Sequence, residues 1–359
     1  MQAMSKRERV EAAIQFQETD RVPVYDILIN DAVIEYFTGT FPPYGEEGAK
    51  LQCQAIGRML DMTRGAGASP REEGERKDED GFVHYHYRWT SGGIRHRPFT
   101  DLAGAMEWLK KANSRLEKQN KSFDARQTAD TFKERFSKLT EYIGDDTVIL
   151  HGQSGTGLDQ VRYLLGLEFF SYISVDAPQL LSEYLDLATD LEVKTIHAIA
   201  DRRLSPCTLT YGDIAIKGGL MHSPAWLKAE FLPRLQRLND AWHDHDILCL
   251  FHSDGDLMPI MPELIATGID GLNPIETTAG MDIAEVKRLY GGQVFLTGGI
   301  DISTLMSFGT PDEVRQECEQ AIAAAGPGYF IGSTTELDNG SKLENVLTML
   351  EVAWNKKLR

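Results

Sequence analysis

The sequence predicts an α/β fold of the (β/α)8 (TIM) barrel type, with an N-terminal helical extension and a β-hairpin insertion. Short apolar runs that end in Gly, Asn, Asp or Glu recur along the chain, and a helix-length amphipathic segment follows each of them. The acidic ends of these runs are typical of enzymes whose site lies at the carboxyl ends of parallel strands. We therefore expect a single barrel domain over residues 1–359, elaborated by a helix within 1–20 and by the segment 64–100.

The predicted strands are distributed along the whole chain. Six of them lie in its second part, one lies near the start, and a weaker candidate precedes the insertion. In chain order they are 21–29, 56–62, 147–151, 208–211, 247–251, 269–272, 294–297 and 329–331. Eight βα units need roughly 250 residues, so the chain has room for the elaborations. An open, doubly wound sheet is the alternative, but no predicted strand leads into a G-x-G-x-x-G helix start.

The segment 64–100 is the least regular part of the sequence. Residues 71–80 are almost all charged, which predicts a loop. Residues 82–89 alternate with period two, which predicts a strand, and the glycine-containing stretch 91–93 predicts the turn to a returning strand at 94–98. We interpret the histidines and aromatic residues of this hairpin as packing residues.

Composition and charge exclude several classes of function. With 42% hydrophobic and 25% charged residues, the chain can bury a large core. No apolar run reaches the roughly 18 residues of a membrane span, and residues 1–9 lack the apolar centre of a signal peptide, so we expect a cytoplasmic protein. The net charge of -17 argues against nucleic acid or an anionic membrane as partner. The four cysteines have no paired spacing and are expected to be buried.

The strongest candidate for a functional site is the segment 251–256, where an apolar run ends in three side chains that can bind metals or protons. His252 can act as a metal ligand or a proton donor. Asp254 can act as a second ligand or orient His252. Asp256 is better explained as a cap of the following helix.

Further candidates lie at the ends of other predicted strands. Asp213, Asn273 and Glu276 follow apolar runs, and we expect them to complete a catalytic group with His252 and Asp254. His151 and Tyr211 end their strands and are candidate substrate contacts. For metal binding the predicted ligands are His252, Asp254 and Glu276, because imidazole and carboxylate groups suit zinc and other divalent metals.

Several separate segments, in the right order, resemble the uroporphyrinogen decarboxylase superfamily. These segments are 4–14, 20–23, 211–224, 247–256, 268–282, 294–301 and 326–337. The resemblance covers most of the chain, and the region 64–100 matches least. It implies a (β/α)8 barrel and an enzyme that is either a decarboxylase or a corrinoid-linked methyltransferase.

The sequence departs from both branches of this superfamily. Decarboxylases carry an arginine-containing segment after the first strand, whereas this chain has Asp26, Asn30 and Asp31, which would repel a polycarboxylate. In the methyltransferases that act on thiols, the resemblance implies zinc held by His-x-Cys and a later Cys. Here His252 is kept, while Asp254 and Ser333 stand near the cysteine positions, so thiol activation is not expected.

The chain resembles the methyltransferase branch better, and we expect it to act in the demethylating direction, because the cysteine ligands are missing while a carboxylate-rich pocket remains. It would move a methyl group from a small methylated substrate, of the methoxy or methylamine type, to the cobalt of a corrinoid on a separate protein. A metal or an acid would assist, because alkoxide, phenoxide and amine groups leave poorly without charge neutralisation. The cofactors implied are zinc or another divalent metal, and a corrinoid (methylcobalamin) carried by the partner protein.

Two alternatives remain open. The first is a decarboxylase or lyase that acts on a small carboxylate without metal, using His252 and Asp254 for proton transfer. Basic residues in the pocket would favour it, and the candidates are Arg58, Arg162 and Lys217. The second is a non-catalytic corrinoid-binding or accessory protein, which a closed pocket at the strand ends would favour.

Overall fold

A computed structural model describes residues 3–144 and 146–355 of the chain. The protein is of the α/β class, as predicted, and its helices surround a parallel sheet. Its strands are β1 Leu28–Ile29, β2 Met62–Thr63, β3 Gly74–Lys77, β4 Val83–His86, β5 Ser91–His96, β6 Val148–Ile149, β7 Gln153–Gly155, β8 Cys207–Tyr211, β9 Ala215–Ile216, β10 Gly219–Leu220, β11 Leu248–His252, β12 Gly271–Asn273, β13 Phe295–Ile300, β14 Tyr329–Ser333 and β15 Leu337–Asp338.

The helices alternate with the strands in the second part of the chain, as expected of serial βα units. They are α1 Lys6–Ile14, α2 Asp31–Thr38, α3 Glu46–Met59, α4 Leu102–Lys121, α5 Ala125–Ile143, α6 Leu158–Asp176, α7 Pro178–Ile199, α8 Pro224–Trp226, α9 Leu232–His243, α10 Met261–Ile265, α11 Ile283–Tyr290, α12 Pro311–Ala325 and α13 Leu343–Asn355. None of these helices, within the described residues, has the length and apolarity that crossing a bilayer requires.

The largest sheet has six parallel strands in the order β14-β13-β12-β11-β8-β7. A second parallel pair joins β2 to β6. The chain segment before β1 contacts both of these units, because Val24 forms a parallel bridge to Ile331 of β14 and Tyr25 forms one to Met62 of β2. Residues 24 and 25 therefore link β14, at the edge of the six-stranded sheet, to β2 of the second pair.

Two apolar layers pack on opposite faces of the strands, because successive side chains of a strand point to opposite sides. One layer lies under the helices and contains Phe251. The other contains Tyr25, Met62, Val148, Leu150, Cys207, Leu209, Leu250, Phe295 and Phe330. Leu250 belongs to this second layer, so His252, two residues later in β11, lies on the same face of the sheet. Tyr211 lies on that face too, because it follows Leu209 of β8 by two residues.

The N-terminal helix α1 is attached to the sheet by buried charges. Ser5 and Glu8 form a capping box that satisfies the first backbone N–H groups of the helix. Arg9 donates to Asp61 at 2.7 Å and to Asp20 at 2.7 Å, and Asp61 also accepts from the backbone N–H of Val24. These bonds hold α1 against the start of the first and second strands.

The predicted first and second strands differ from the structure in their bounds. Within 21–29, only Val24, Tyr25 and β1 pair with other strands. Within 56–62, residues 56–59 form the end of α3 instead of a strand, and Met62 is the residue that belongs to a strand. The apolar residues of that segment are buried at helical spacing, which the short apolar run did not distinguish from a strand.

The insertion has three antiparallel strands, so the predicted hairpin was incomplete. The segment predicted as a charged loop contains β3, which pairs with β4. The turn lies at residues 87–90, where the N–H of Tyr87 donates to the carbonyl of Thr90 at 2.9 Å. The predicted turn at 91–93 falls inside β5, and Gly93, with φ of 92°, lies where the register between β4 and β5 is irregular. Gly92 and Gly93 therefore lie in an irregular part of β5 and not in a turn.

Candidate metal centre at the carboxyl ends of the strands

Three neighbouring strands align the central residues of the candidate site. His252 pairs in register with Tyr211 of β8 and with Asn273 of β12, so the three residues form one row across the sheet. Asp213 and Asp254 follow their strands by two residues and lie in the loops beyond this row. The parallel arrangement thus gathers residues that are far apart in sequence at the same ends of the strands.

The imidazole of His252 is held in one orientation by Asn273. Its Nδ1 lies 2.8 Å from Oδ1 of Asn273, and Nδ2 of Asn273 donates to the hydroxyl of Thr297 at 2.6 Å. Since the amide oxygen can only accept, Nδ1 of His252 carries the proton in this arrangement. The lone pair of the neutral ring is therefore on Nε2, which is the arrangement of a histidine ligand with an outer-shell partner.

The Nε2 atom of His252 faces two carboxylates. It lies 3.9 Å from Oδ1 of Asp213 and 3.9 Å from Oδ1 of Asp254. These distances are too long for hydrogen bonds. Burial, together with the nearby positive charge of Arg64, lowers the pKa of His252 to about 3, so the ring is neutral at physiological pH. We name Asp213, His252 and Asp254 the rim cluster; one ligand atom from each lies within 4.8 Å of the others.

Asp254 is the least satisfied member of the rim cluster. Its Oδ1 atom is buried and has no hydrogen-bond partner. Burial, and then the negative charges of Asp213 and Glu276, raise the pKa of Asp254 to about 7. A buried acceptor without a donor is unfavourable. A cation at this position would give Oδ1 a partner and would offset the repulsion between the carboxylates. The donor set, one imidazole nitrogen and carboxylate oxygens, fits zinc or another divalent metal.

Glu276 borders the rim cluster and fixes the loop that carries Asp254. Its Oε2 atom accepts the backbone N–H of Gly255 at 2.6 Å. Gly255 has a φ of 92°, and a Cβ atom there would lie 2.4 Å from the backbone of Ala215, so this loop requires glycine. Asp213, which we predicted as a catalytic residue, is the third member of the rim cluster, and Glu276, which we predicted as a ligand, lies beside it.

The two predicted substrate contacts lie in different places. Tyr211 is on the same face of the sheet as His252, and burial raises the pKa of its hydroxyl. His151 instead points away from the rim cluster: its ring stacks on Phe132 at 5.0 Å and contacts Trp242 at 5.2 Å. Its position on the helix-covered face follows from Leu150, the preceding residue, which belongs to the opposite layer.

The acidic residues expected to repel a polycarboxylate do not act together. Asp26 is buried and accepts from both the N–H and the hydroxyl of Ser333, at 2.7 and 2.8 Å. Asn30 caps α2 by accepting from the N–H of Val33, and Asp31 pairs with Arg88. Asn30 and Asp31 therefore have structural roles, which corrects that part of the prediction.

Arg64 is a site residue that the sequence reasoning missed. Its Nε atom is buried without a hydrogen-bond partner. Its positive charge helps to lower the pKa of His252 and partly offsets the raised pKa values of Asp254 and Glu336, which places it beside the acidic groups of the site. It directly follows β2, so the signal was present, but the second strand had been predicted at 56–62 and its true end was overlooked.

The three basic residues predicted for a decarboxylase pocket are either exposed or bound to other groups of the protein. Arg162 donates to the carbonyl of Asp213 at 2.7 Å and is paired with Asp159, so it supports the loop of Asp213. Arg58 and Lys217 are exposed. Arg64 is thus the basic residue that the structure brings to the acidic groups.

Comparison with known proteins places the chain in a family. Residues 110–355 match the uroporphyrinogen decarboxylase (URO-D) family, and the chain belongs to it. A curated uroporphyrinogen decarboxylase from Shewanella pealeana is 32% identical over 87 residues, which are 21% of this chain and 23% of that protein. The chain therefore aligns with about a quarter of the length of this relative.

A solved structure supports the fold over nearly the whole chain. A methyltransferase from Methanosarcina mazei superposes with a TM-score of 0.69 and covers 98% of each chain, at 17% sequence identity. At this identity the similarity describes the fold, and the chemistry must be argued from the site.

Proposed function

We propose that the protein is a (β/α)8-barrel methyltransferase of the URO-D family that moves a methyl group from a small methylated substrate to the cobalt of a corrinoid on a separate protein. The closed barrel is supported by the bridges of Val24 and Tyr25, which connect β14 to β2. The structural likeness to a methyltransferase over 98% of the chain is consistent with this fold. The substrate class proposed is a methoxy or methylamine compound.

The observation that carries the proposal is the orientation of His252. Its Nδ1 is committed to Asn273, and its Nε2 faces two carboxylates without bonding to either. His252, Asp254 and Asp213 would hold a divalent metal, with Glu276 next to them. Such a metal, when bound, supplies a Lewis acid that stabilises the leaving oxygen or nitrogen.

The protein's own groups contribute charge and proton transfer. Asp254 has a pKa near 7, so its carboxyl group can carry a proton at neutral pH and donate it to the leaving heteroatom when no cation neutralises it. Asp213 and Glu276 surround this position with negative charge, which favours a cationic substrate such as a methylammonium group. The same residues therefore serve either metal-assisted or acid-assisted demethylation.

A methyl-transfer assay tests the proposal. Purified protein is mixed with reduced cob(I)alamin and a panel of methoxy compounds and methylamines, and methylcobalamin formation is followed by its absorption spectrum. We expect transfer from at least one substrate class, and a loss of roughly 10²-fold or more in His252→Ala. Full activity in both His252→Ala and Asp254→Asn would overturn the assignment of the site.

A decarboxylase or lyase is the second candidate, because Arg64 lies among the acidic groups with an unbonded buried Nε. A guanidinium in that position can bind the carboxylate of a small substrate. Release of CO2 from a small carboxylate substrate, without methylation of cobalt and with a strong loss in Arg64→Gln, would favour this function over methyl transfer.

A further inference from the structure

A cavity of about 400 Å³ lies between α5, α7 and the strands β6 and β7. Its apolar wall includes Phe132, Phe136 and Leu139 of α5. None of the three rim-cluster residues lines it. Its volume is within the range of small-molecule sites, and it combines an apolar wall with a few polar groups, as such sites do.

His151 lines this cavity and has a buried ring nitrogen without a hydrogen-bond partner. The Nε2 atom of His151 accepts the backbone N–H of Asp201 at 2.9 Å, so the proton of the neutral ring is on Nδ1. Burial lowers the pKa of His151 to about 4, which keeps the ring neutral. The residue is 2% exposed, and Nδ1 has no partner among the described residues. A buried donor of this kind calls for an acceptor.

Two further polar groups define what the cavity would bind. Arg135 of α5 lines it with an exposed guanidinium that forms no ion pair with any described residue. Glu192 of α7 lines it as well, and burial raises the pKa of its carboxyl group, which favours the protonated form. The cavity is therefore lined by the guanidinium of Arg135, by His151 and by a buried carboxyl group with a raised pKa. These groups suit an acceptor that carries one negative charge.

We propose that this cavity binds a small monocarboxylate with a compact apolar body, aromatic or branched. The carboxylate would accept from Arg135 and from Nδ1 of His151, and the apolar body would lie against Phe136 and Leu139. This site is distinct from the rim cluster and does not depend on the methyl-transfer reaction. Arg64 also lines the cavity, and its carbonyl accepts from the side chain of Gln153 at 3.0 Å.

Binding of simple probes to the full-length protein tests the proposal. Benzoate and 3-methylbutanoate are titrated by calorimetry or ligand-observed NMR, with benzamide as the uncharged counterpart of benzoate. We expect saturable binding of at least one carboxylate and roughly 10-fold weaker binding of benzamide, because charge-assisted hydrogen bonds are the stronger ones.

Two variants and a matched control locate the site. Arg135→Gln is expected to weaken binding of the carboxylate roughly 10-fold, and His151→Phe to weaken it while keeping the ring that stacks on Phe132. Arg126→Gln, on the same helix, is expected to leave binding within about 2-fold, since Arg126 is exposed and does not line the cavity.

Three outcomes would overturn the proposal. These are no saturable binding of either carboxylate up to about 10 mM, equal binding in wild type and Arg135→Gln, and an equal loss in Arg126→Gln. Because Arg135 is exposed, its variant keeps the test valid if His151→Phe fails to fold. Circular dichroism checks folding in each case.

Discussion

Two groups of potential metal ligands lie at opposite ends of the neighbouring strands β11 and β12, and they differ in how their donor atoms are used. The rim cluster lies at the carboxyl ends. The second group, which we name the amino-end cluster, consists of His243, Cys249 and Asp270. In both groups one atom from each residue lies within 4.8 Å of the others. Proximity alone therefore does not distinguish them.

The amino-end cluster is satisfied by its own hydrogen bonds. Oδ2 of Asp270 lies 2.7 Å from Nε2 of His243 and accepts the backbone N–H of Cys249 at 2.8 Å. The thiol of Cys249 is fully buried, which raises its pKa and keeps it protonated. In the rim cluster, by contrast, Nε2 of His252 is 3.9 Å from each carboxylate, and Oδ1 of Asp254 has no partner. We infer that the amino-end cluster stabilises the fold, while the rim cluster is available for a ligand.

The largest expected effect is the loss of metal binding in His252→Ala. Removing Nε2 takes away the nitrogen ligand, so the affinity for zinc or cobalt(II) should fall by roughly 10²-fold or more. Competition with a chromophoric chelator measures the affinity. His243→Gln is the matched control at the amino end and should keep the affinity of the wild type. If the two variants behave alike, the comparison between the clusters fails.

A smaller loss is expected when the partner of His252 is removed. Asn273→Ala leaves all ligands in place but frees the ring to rotate and to change tautomer, which should weaken metal binding roughly 10- to 100-fold. Asn273→Asp restores an acceptor for Nδ1 and should recover the affinity. Unchanged affinity in Asn273→Ala would show that the orientation of His252 does not depend on this hydrogen bond.

His243→Gln should affect stability, with a definite pH dependence. The hydrogen bond to Asp270 raises the pKa of His243 in the folded state. Its stabilising contribution is therefore complete below the unfolded pKa of about 6.5 and is lost as the pH rises through the higher folded value. We expect the variant to lose about 1 kcal/mol of unfolding free energy near pH 6 and less near pH 9. Urea unfolding at the two pH values measures it, and a loss that grows with pH would have the wrong sign.

The smallest effect is expected for Cys249→Ala. The substitution removes a buried sulfur atom and a weak hydrogen bond to the carbonyl of Asn239, so stability should fall by about 0.5–1 kcal/mol. Metal affinity should not change, because the protonated thiol is not a ligand in this account. A marked loss of zinc binding in this variant would instead identify the amino-end cluster as a metal site.

The rim cluster could be predicted because its signals are local. His252 and Asp254 follow a continuous apolar run, and the carboxyl ends of parallel strands meet at one side of a sheet. Asp213 and Glu276 were found by the same rule. Which of the two lies closer to His252 and Asp254 was not predictable, because that depends on the geometry of the loops, such as the turn at Gly255.

The orientation of His151 and the role of Arg64 were beyond the sequence for different reasons. Residues 148–150 are all apolar and buried on both faces of the sheet, so the run carries no alternation from which the direction of His151 could be read. Arg64 follows a strand of two residues, which is too short to stand out beside the helix that precedes it. The cavity lined by His151 depends on the packing of α5 against α7, which no local sequence pattern predicts.

An anomalous-difference map from crystals of the protein grown with zinc shows directly whether the rim cluster binds a metal. We expect a peak next to Nε2 of His252 and the carboxylate oxygens of Asp254 and Asp213. A peak between His243 and Cys249 with none at the rim, or no peak at the rim in crystals that contain zinc, would contradict it.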